Sequence, residues 1–211
     1  LISCAGAHVS LKGNASFNSA YALTDHFGVM LNGSFISRDR DRKDFQHNLF
    51  EAAGGYFTTF GADRSRILEI YTGFGAGSAD LTYRDFTDDG LIPTDRQQVS
   101  FSKFFVQANY SSKQKKSLTL FKKKYPLNYV TSLRMSHVTM NEFMRNDILQ
   151  ENEDNVFFEP VFFTRLKVNE AVQLQYTSGS NIGLKNRKFL TAGSSVFTFG
   201  VVINVGGLGF K

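Results

Sequence analysis

Hydrophobic and polar residues alternate along most of the chain, and the pattern is clearest between Ser195 and Val205. Successive side chains of a β-strand point to opposite faces, so this run has one apolar face and one polar face. The polar face carries Thr198, Gly200 and Asn204. The apolar face carries Phe197, Phe199, Val201, Ile203 and Val205.

The same alternation, interrupted by turn residues, predicts about ten strands. Most of them are longer than soluble strands, and several match the length of about 9–11 residues with which a tilted strand crosses a bilayer. We therefore predict an all-β fold, an antiparallel up-and-down transmembrane β-barrel. The predicted strands are Ala7–Leu11, Ala15–Leu23, Phe27–Ser37, Leu49–Phe60, Ile67–Thr82, Val99–Tyr110, Tyr129–Asn141, Val156–Leu166, Ala171–Ser180 and Ser195–Val205.

Six ionisable residues fall on the strand faces opposite the apolar rows. A base facing lipid near the midplane costs about 2–4 kcal/mol, so these faces are predicted to line the lumen. Three acids and three bases favour a paired network that braces the wall; a selective channel and a catalytic carboxylate pair are the alternatives. The predicted lumen charge network comprises Glu51, Glu69, Lys103, Arg134, Glu159 and Arg165.

Composition is compatible with a barrel. Hydrophobic residues make up 42% of the 211 residues, and no continuous apolar run is long enough for a membrane-spanning helix. The net charge of +5 could indicate nucleic acid, but the lysines and arginines lie in connecting segments or singly in strands. Without a basic stripe on a helix, no nucleic-acid partner is expected.

The predicted connections alternate in length and orient the barrel. Connections at 24–26, 61–65 and 167–170 are short, whereas 38–46, 83–98, 142–155 and 181–193 are long and polar. Outer-membrane barrels have short periplasmic turns and longer extracellular loops. The chain is therefore expected in the bacterial outer membrane, in contact with its lipids, with both termini periplasmic.

One periplasmic connection, 111–128, is unexpectedly long and rich in lysine. Its residues 113–124, here called the lysine hairpin, are interpreted either as an elongated hairpin with solvated lysines or as a docking site. The partner would be another outer-membrane or periplasmic protein. The candidate docking residues are Lys113, Lys115, Lys116, Phe121, Lys122, Lys123 and Lys124.

The amino end resembles a bacterial lipobox. Leu1, Ile2 and Ser3 precede Cys4, the only cysteine of the sequence. Cys4 is a candidate lipidation site, with a buried or free thiol as the alternative. Residues 1–5 are predicted as a lipobox and periplasmic segment, and residues 6–211 as one barrel domain.

Catalytic chemistry finds little support in the sequence. The four histidines show no metal-ligand spacing, and no nucleophile elbow, phosphate loop or dinucleotide motif is present. No catalytic residue, metal or cofactor is therefore assigned, and an enzyme is not expected. A hydrolase at the rim would have to use acids and a histidine of two polar segments: Asp39, Asp41, Asp44 and His47, and Asp85, Asp88, Asp89 and Asp95.

Several short motifs, taken in order, resemble the small outer-membrane β-barrel proteins and lipoproteins of the Bacteroidota. They are the segments 20–33, 51–57, 71–78, 104–107 and 157–160. The resemblance implies the fold and the location but no reaction. The expected role is a structural or accessory subunit of a membrane protein complex. A narrow channel or small-solute-binding barrel is the first alternative, and a rim hydrolase is the second.

Overall fold

The computed structural model describes residues 3–10, 14–61, 64–87, 90–112, 116–120, 122–191 and 195–204. These residues form one antiparallel sheet of 13 strands. The described part contains no helix that is long and apolar enough to cross a bilayer. The strands are β1 Ser3–Ser10, β2 Asn14–Ala22, β3 Phe27–Arg40, β4 Lys43–Phe60, β5 Arg66–Thr87, β6 Gly90–Ser112, β7 Lys116–Leu120, β8 Lys123–Arg145, β9 Ile148–Leu149, β10 Asp154–Lys167, β11 Val172–Gly179, β12 Ile182–Gly183 and β13 Val196–Asn204.

Ten of the strands close into a ring. The order is β1-β2-β3-β4-β5-β6-β8-β10-β11-β13, and β13 pairs with β1 to complete it. The short strands β7, β9 and β12 pair with β8 or β10 beyond the ring. The predicted antiparallel barrel of about ten strands is confirmed. Within the described residues each of these ten strands has a paired neighbour on both sides, which satisfies backbone groups that a free strand edge would expose.

The first strand begins earlier than predicted. Cys4 pairs with Ala20 of β2 and with Asn204 of β13, so it belongs to the barrel wall. The described part of the wall therefore begins at Ser3, within the segment 1–5 that was predicted to precede the barrel. Residues 1 and 2 of the lipobox lie outside the described residues.

Three of the predicted long loops are also corrected, because they are mainly strand. β3 and β4 continue to a turn at residues 41–42, and β5 and β6 pair out to Thr87 and Gly90. β8 runs to Arg145 and turns into β9 through Asn146 and Asp147. Both turn residues have positive φ angles, 52° and 61°, as a two-residue type I′ hairpin turn requires. These segments have no continuous apolar face, so alternation of hydrophobicity could not reveal them as strands.

The outer surface of the barrel is apolar. The side chains of Phe74 and Phe199 are 69% and 72% exposed, and Phe162 and Phe197 are also exposed, as the alternation predicts. Towards the end of the barrel with the short turns, exposed tyrosines form a row: Tyr21, Tyr56, Tyr110 and Tyr129. Towards the other end, here called the hairpin end, the outward positions beyond Phe104 become polar, with Ser102 and Asn141 hydrogen-bonded to each other at 3.1 Å. The wall therefore carries an apolar belt with an aromatic edge on the short-turn side.

Candidate functional site

Four of the six predicted lumen charges meet inside the barrel. We call Glu51, Lys103, Arg134 and Glu159 the lumen quartet. Lys103 Nζ lies 3.2 Å from Glu51 Oε1 and 3.0 Å from Glu159 Oε1, and Arg134 Nη1 donates to Glu51 Oε2 at 2.9 Å. The side chains are between 4% and 17% exposed. Two acids and two bases neutralise one another in a buried position, so the quartet has no net charge.

The other two predicted charges bind neutral partners instead. Glu69 accepts a hydrogen bond from Asn109 Nδ2 at 2.9 Å, and Asn109 in turn accepts from Gln107 at 2.7 Å. Gln107 accepts from Arg134 Nε at 2.7 Å, which connects Glu69 to the quartet through two amides. Arg165 donates to Gln175 on the neighbouring strand β11. The predicted network of six charges is therefore a quartet with an amide branch and a separate pair.

Glycines of β5 make room for the quartet. A Cβ atom on Gly75 would lie 2.9 Å from Glu51 Cγ, and one on Gly73 would lie 2.6 Å from Ala53 Cβ and 2.8 Å from the ring of Phe105. The Arg134 guanidinium carbon sits 4.2 Å from the centre of that same Phe105 ring. The repeated Gly-X-Gly pattern of β5 thus keeps one wall flat so that large side chains of β4 and β6 can lie against it.

A cavity of about 220 Å³ remains beside the quartet, against the wall formed by β2 and β3. Ser16, Asn18 and Ser34 supply polar groups on that wall. Asn32 donates from Nδ2 to Glu51 at 3.1 Å, while its Oδ1 atom is buried and has no hydrogen-bond partner among the described residues. The cavity thus has a neutral polar wall facing a self-neutralised charged wall.

Side chains close the lumen on the short-turn side of the cavity. All of them are at most 7% exposed. They come from four strands of the ring, β5, β6, β11 and β13, so the lumen narrows from more than one direction at this level. These floor residues are Tyr71, Phe105, Gln107, Gln175 and Val202.

On the hairpin end, residues 184–191 fold back onto the barrel; we call them the rim segment. Leu190 packs against a buried cluster of Phe101, Val138 and Phe157. The ring of Phe189 lies 4.7 Å from the ring of Phe143. Residues 181–193 were predicted as a long polar extracellular loop; the described residues 184–191 are irregular, as a loop is, and apolar contacts anchor them inside the mouth of the barrel.

Three consecutive residues hold the rim segment: Glu153, which directly precedes β10, and Asp154 and Asn155, which begin it. The carboxylate of Glu153 accepts backbone hydrogen bonds from Lys188, Phe189 and Leu190 at 3.1, 2.9 and 2.8 Å. Asp154 pairs with Lys185 and Arg187, the latter at 2.7 Å, and its Oδ2 lies 3.0 Å from His137 Nε2.

The third residue, Asn155, is fully buried, and its amide group binds the backbone on both sides of the rim segment. It donates to the carbonyls of Lys185 and Leu190 and accepts from the Lys185 N–H. We call Glu153, Asp154 and Asn155 the latch. The sequence does contain a signal for the latch, because the charges of Glu153 and Asp154 are complementary to those of Lys185, Arg187 and Lys188. Both groups lie in segments that were predicted as loops, so their pairing was not predicted.

Hydrogen bonds shift the pKa values of the two latch acids in the same direction. Burial by itself would raise the pKa of Glu153, but donation from the backbone of Leu190, Phe189 and Lys188 outweighs it and lowers the pKa. The Lys185 ammonium, with help from His137, holds the pKa of the Asp154 carboxyl far below its usual range. Both acids are therefore in their charged, binding form at neutral pH.

The lysine hairpin extends the wall at the short-turn end. β7 pairs with the start of β8, from Lys116 opposite Leu127 to Leu120 opposite Lys123. Lys122 forms the turn with a φ angle of 64°. The ammonium of Lys116 lies 5.7 Å from the Tyr129 ring centre, while Lys123 and Lys124 are exposed. Lys113, Lys115 and Phe121 lie outside the described residues.

Three of the predicted rim acids, Asp39, Asp44 and Asp95, are paired with arginines. Arg84 reaches Asp39 and Asp44 at 3.3 and 3.8 Å, and Arg145 donates to Asp95 at 2.7 Å, which lowers the pKa of Asp95. Among the described residues, no three His, Cys, Asp or Glu side chains are grouped as a metal site would need. Asp88 and Asp89 lie outside the described residues.

The sequence matches no protein-family profile and no curated protein. Among solved structures, it is similar to the translocator domain of the autotransporter NalP from Neisseria meningitidis, with 8% identity, coverage of 96% of this chain and 84% of that chain, and a TM-score of 0.47. The β domain of the Bordetella autotransporter BrkA has 7% identity, 96% coverage of both chains and a TM-score of 0.31. The siderophore receptor PirA from Pseudomonas aeruginosa has 9% identity, coverage of 95% and 39%, and a TM-score of 0.23.

Proposed function

We propose that the chain spans the bacterial outer membrane as a closed barrel and serves there as a structural or accessory subunit, without catalytic activity of its own. One observation carries the membrane assignment: rows of large apolar side chains point outward and are exposed, whereas the strand charges point inward and are buried. Phe74 is 69% exposed, whereas Glu51 of the neighbouring strand is 4% exposed. A soluble barrel has the opposite arrangement, with an apolar interior.

The filled lumen supports a scaffold rather than a channel. The lumen quartet and the floor residues occupy the interior, and side chains of this kind brace a small barrel. The test is single-channel recording of the purified protein in planar bilayers. We expect no steady current; regular conductance steps would refute the closed-lumen proposal and favour a narrow channel.

The lysine hairpin supports a docking role on the periplasmic side, where both termini are proposed to lie. Lys123 and Lys124 are exposed, and Leu118 in the middle of β7 is 41% exposed. The hairpin therefore presents a basic and partly apolar surface. Such a surface would bind an acidic, partly apolar site on another envelope protein, or anionic lipid head groups.

Shortening the hairpin to a two-residue turn tests this role. The ring pairing of β6 with β8 begins at Ser111 and Val130, so the strands of the wall keep their partners. We expect the shortened protein to insert normally but to lose the proteins that copurify with it from mild detergent. A variant with Lys116, Lys122, Lys123 and Lys124 replaced by Gln separates the contribution of charge from that of length. Unchanged copurification of every partner would reject the hairpin as the docking site.

A further inference from the structure

We propose that the cavity beside the lumen quartet is a binding site for a small, neutral, polyhydroxylated solute such as a monosaccharide. The inference goes beyond the scaffold role and rests on the lumen being closed below the cavity. A cavity of about 220 Å³ has room for several water molecules or for one small organic molecule.

The side-chain oxygen of Asn32 faces the cavity without a hydrogen-bond donor among the described residues. This side chain is 8% exposed and lines the cavity, and its Oδ1 atom has no partner among the described residues. A buried acceptor left unpaired costs free energy, so the occupant of the cavity must supply an O–H or N–H group at this point. Its Nδ2 is committed to Glu51, so the orientation of the amide is fixed by the quartet.

The charges at the site select against ionic ligands. Each acid of the quartet contacts a base within 3.2 Å, and the quartet is neutral as a whole. A charged ligand would have to break one of these buried pairs or remain unpaired itself, which is costly. Neutral hydroxyl groups can instead donate to Asn32 and exchange hydrogen bonds with Ser16, Asn18 and Ser34 without disturbing the quartet.

The site is open on one side only. Asn18 lies opposite Asn32 in the register of β2 and β3, so both side chains are on the lumen face, and Asn18 is exposed to solvent. In the opposite direction the floor residues close the lumen. A solute therefore enters and leaves by the side on which Asn18 is exposed, which is the geometry of a binding pocket and not of a channel.

Saturation-transfer NMR on the purified barrel in detergent tests the proposal with glucose as the probe and glucuronate as its charged analogue. We expect transfer to glucose and little transfer to glucuronate. Ser34→Leu and Asn18→Leu each fill the cavity from the wall facing the quartet without removing any quartet contact. Ser37→Leu is the matched control, because Ser37 is on the same strand as Ser34 but on the opposite, exposed face.

The expected result is that glucose transfer is retained in Ser37→Leu and falls to the protein-free level in both cavity variants. Circular dichroism of each variant verifies that the barrel is folded, and the two cavity variants on different strands guard against a local folding defect in either one. Absence of transfer to glucose in the wild type would mean that the cavity holds water only and would overturn the proposal. Equal transfer in the cavity variants and the control would also overturn it, because binding would then be elsewhere.

Discussion

Arg134 of β8 and Glu51 of β4 form an ion pair across the inside of the barrel, with Arg134 Nη1 at 3.0 and 2.9 Å from the two carboxylate oxygens. The two strands are not neighbours, since β5 and β6 separate them in the ring. The pair therefore ties together parts of the wall that no backbone hydrogen bond connects. It fixes the cross-section of the barrel at the level of the cavity.

Glu51 is expected to be the most important member of the quartet. Glu51→Ala removes the acid that both Lys103 and Arg134 contact, and leaving buried charge uncompensated costs about 3–5 kcal/mol. Glu159→Ala should cost less, because Lys103 keeps Glu51 as its partner. Urea unfolding followed by circular dichroism in lipid vesicles measures both free energies of unfolding.

The exposed pair of Lys167 and Glu170 is the control for these variants. The Glu170 side chain is 83% exposed, so Glu170→Ala should change the free energy of unfolding by about 1 kcal/mol or less. A loss in Glu51→Ala no larger than that of the control would contradict a bracing role for the quartet.

Gly73 is expected to tolerate no side chain. In Gly73→Val the new Cβ would lie 2.4 Å from the Ala52 carbonyl oxygen and 2.8 Å from Phe105, and overpacking of this kind costs about 1–3 kcal/mol. Gly54 of the adjacent strand β4 has no atom within 4 Å of an added Cβ and is exposed. Gly54→Val should therefore leave the midpoint of thermal unfolding close to that of the wild type, whereas Gly73→Val should lower it. If both variants lowered the midpoint equally, the result would argue against close packing at β5.

A charge in the apolar belt tests the membrane assignment. Phe74→Lys places an ammonium group where Phe74 is 69% exposed, and lysine on the lipid face costs about 2–4 kcal/mol near the midplane. Phe86→Lys changes the same residue type near the tip of the β5–β6 hairpin, where Phe86 is 64% exposed. We expect only Phe74→Lys to reduce refolding into vesicles; equal refolding of the two variants would mean that the belt does not face lipid.

The rim segment should detach in acid. The pKa values of Glu153 and Asp154 are lowered in the folded protein, so their stabilisation is present above the ordinary carboxyl pKa values of about 4 and is lost as the pH falls through the folded values. The amide NMR shifts of Lys188, Phe189 and Leu190 report this transition. Their titration midpoint should lie below the ordinary value for Glu, and Glu153→Gln should abolish the dependence on Glu153; a midpoint at or above that value would contradict the lowered pKa.

Lipidation of Cys4 remains a prediction of the lipobox. Intact-mass measurement of protein extracted from membranes should detect an acylated form that begins at Cys4, and Cys4→Ser should abolish the added mass. Removal of residues 1–3 would delete only one described pairing, Ser3 with Tyr21, from the β1–β2 ladder. An intact Leu1 with an unmodified thiol would rule out the lipoprotein, while the barrel would be unaffected.

The wall of the barrel was predictable because the outward face of each strand is apolar, so apolar residues recur at every second position of the sequence. Phe197, Phe199 and Phe162 were correctly placed outside, and Glu51 and Lys103 inside, from alternation alone. The extended hairpins were not predictable in this way, because Asp95 and Arg145, for example, form a pair at 2.7 Å between β6 and β8 where no continuous apolar face marks a strand. The extended ends of these strands are held by hydrogen bonds and ion pairs between neighbouring strands rather than by burial of an apolar face.

The candidate site was predictable only in part. The charges of the quartet could be assigned to the lumen from the alternation. Which of the six predicted charges would meet depends on the order of the strands around the ring and on the position of each residue along its strand, and the alternation specifies neither. Arg165 is on the same strand as Glu159 and on the same face, yet it is too far along the strand to join the quartet and binds Gln175 instead. The latch depends on a chain reversal between β12 and β13, for which no local pattern in the sequence was available.

The seam between β1 and β13 has a consequence for how the protein is made. Cys4 pairs with Asn204 and His8 pairs with Gly200, so the first and last strands of the ring are neighbours although almost the whole chain separates them. Closing such a distant contact is slow compared with forming hairpins between consecutive strands. Until β13 is synthesised and docked, β1 and β11 each present an unpaired edge that can recruit another chain. The nascent barrel therefore has to be shielded for the entire time of its synthesis and delivery.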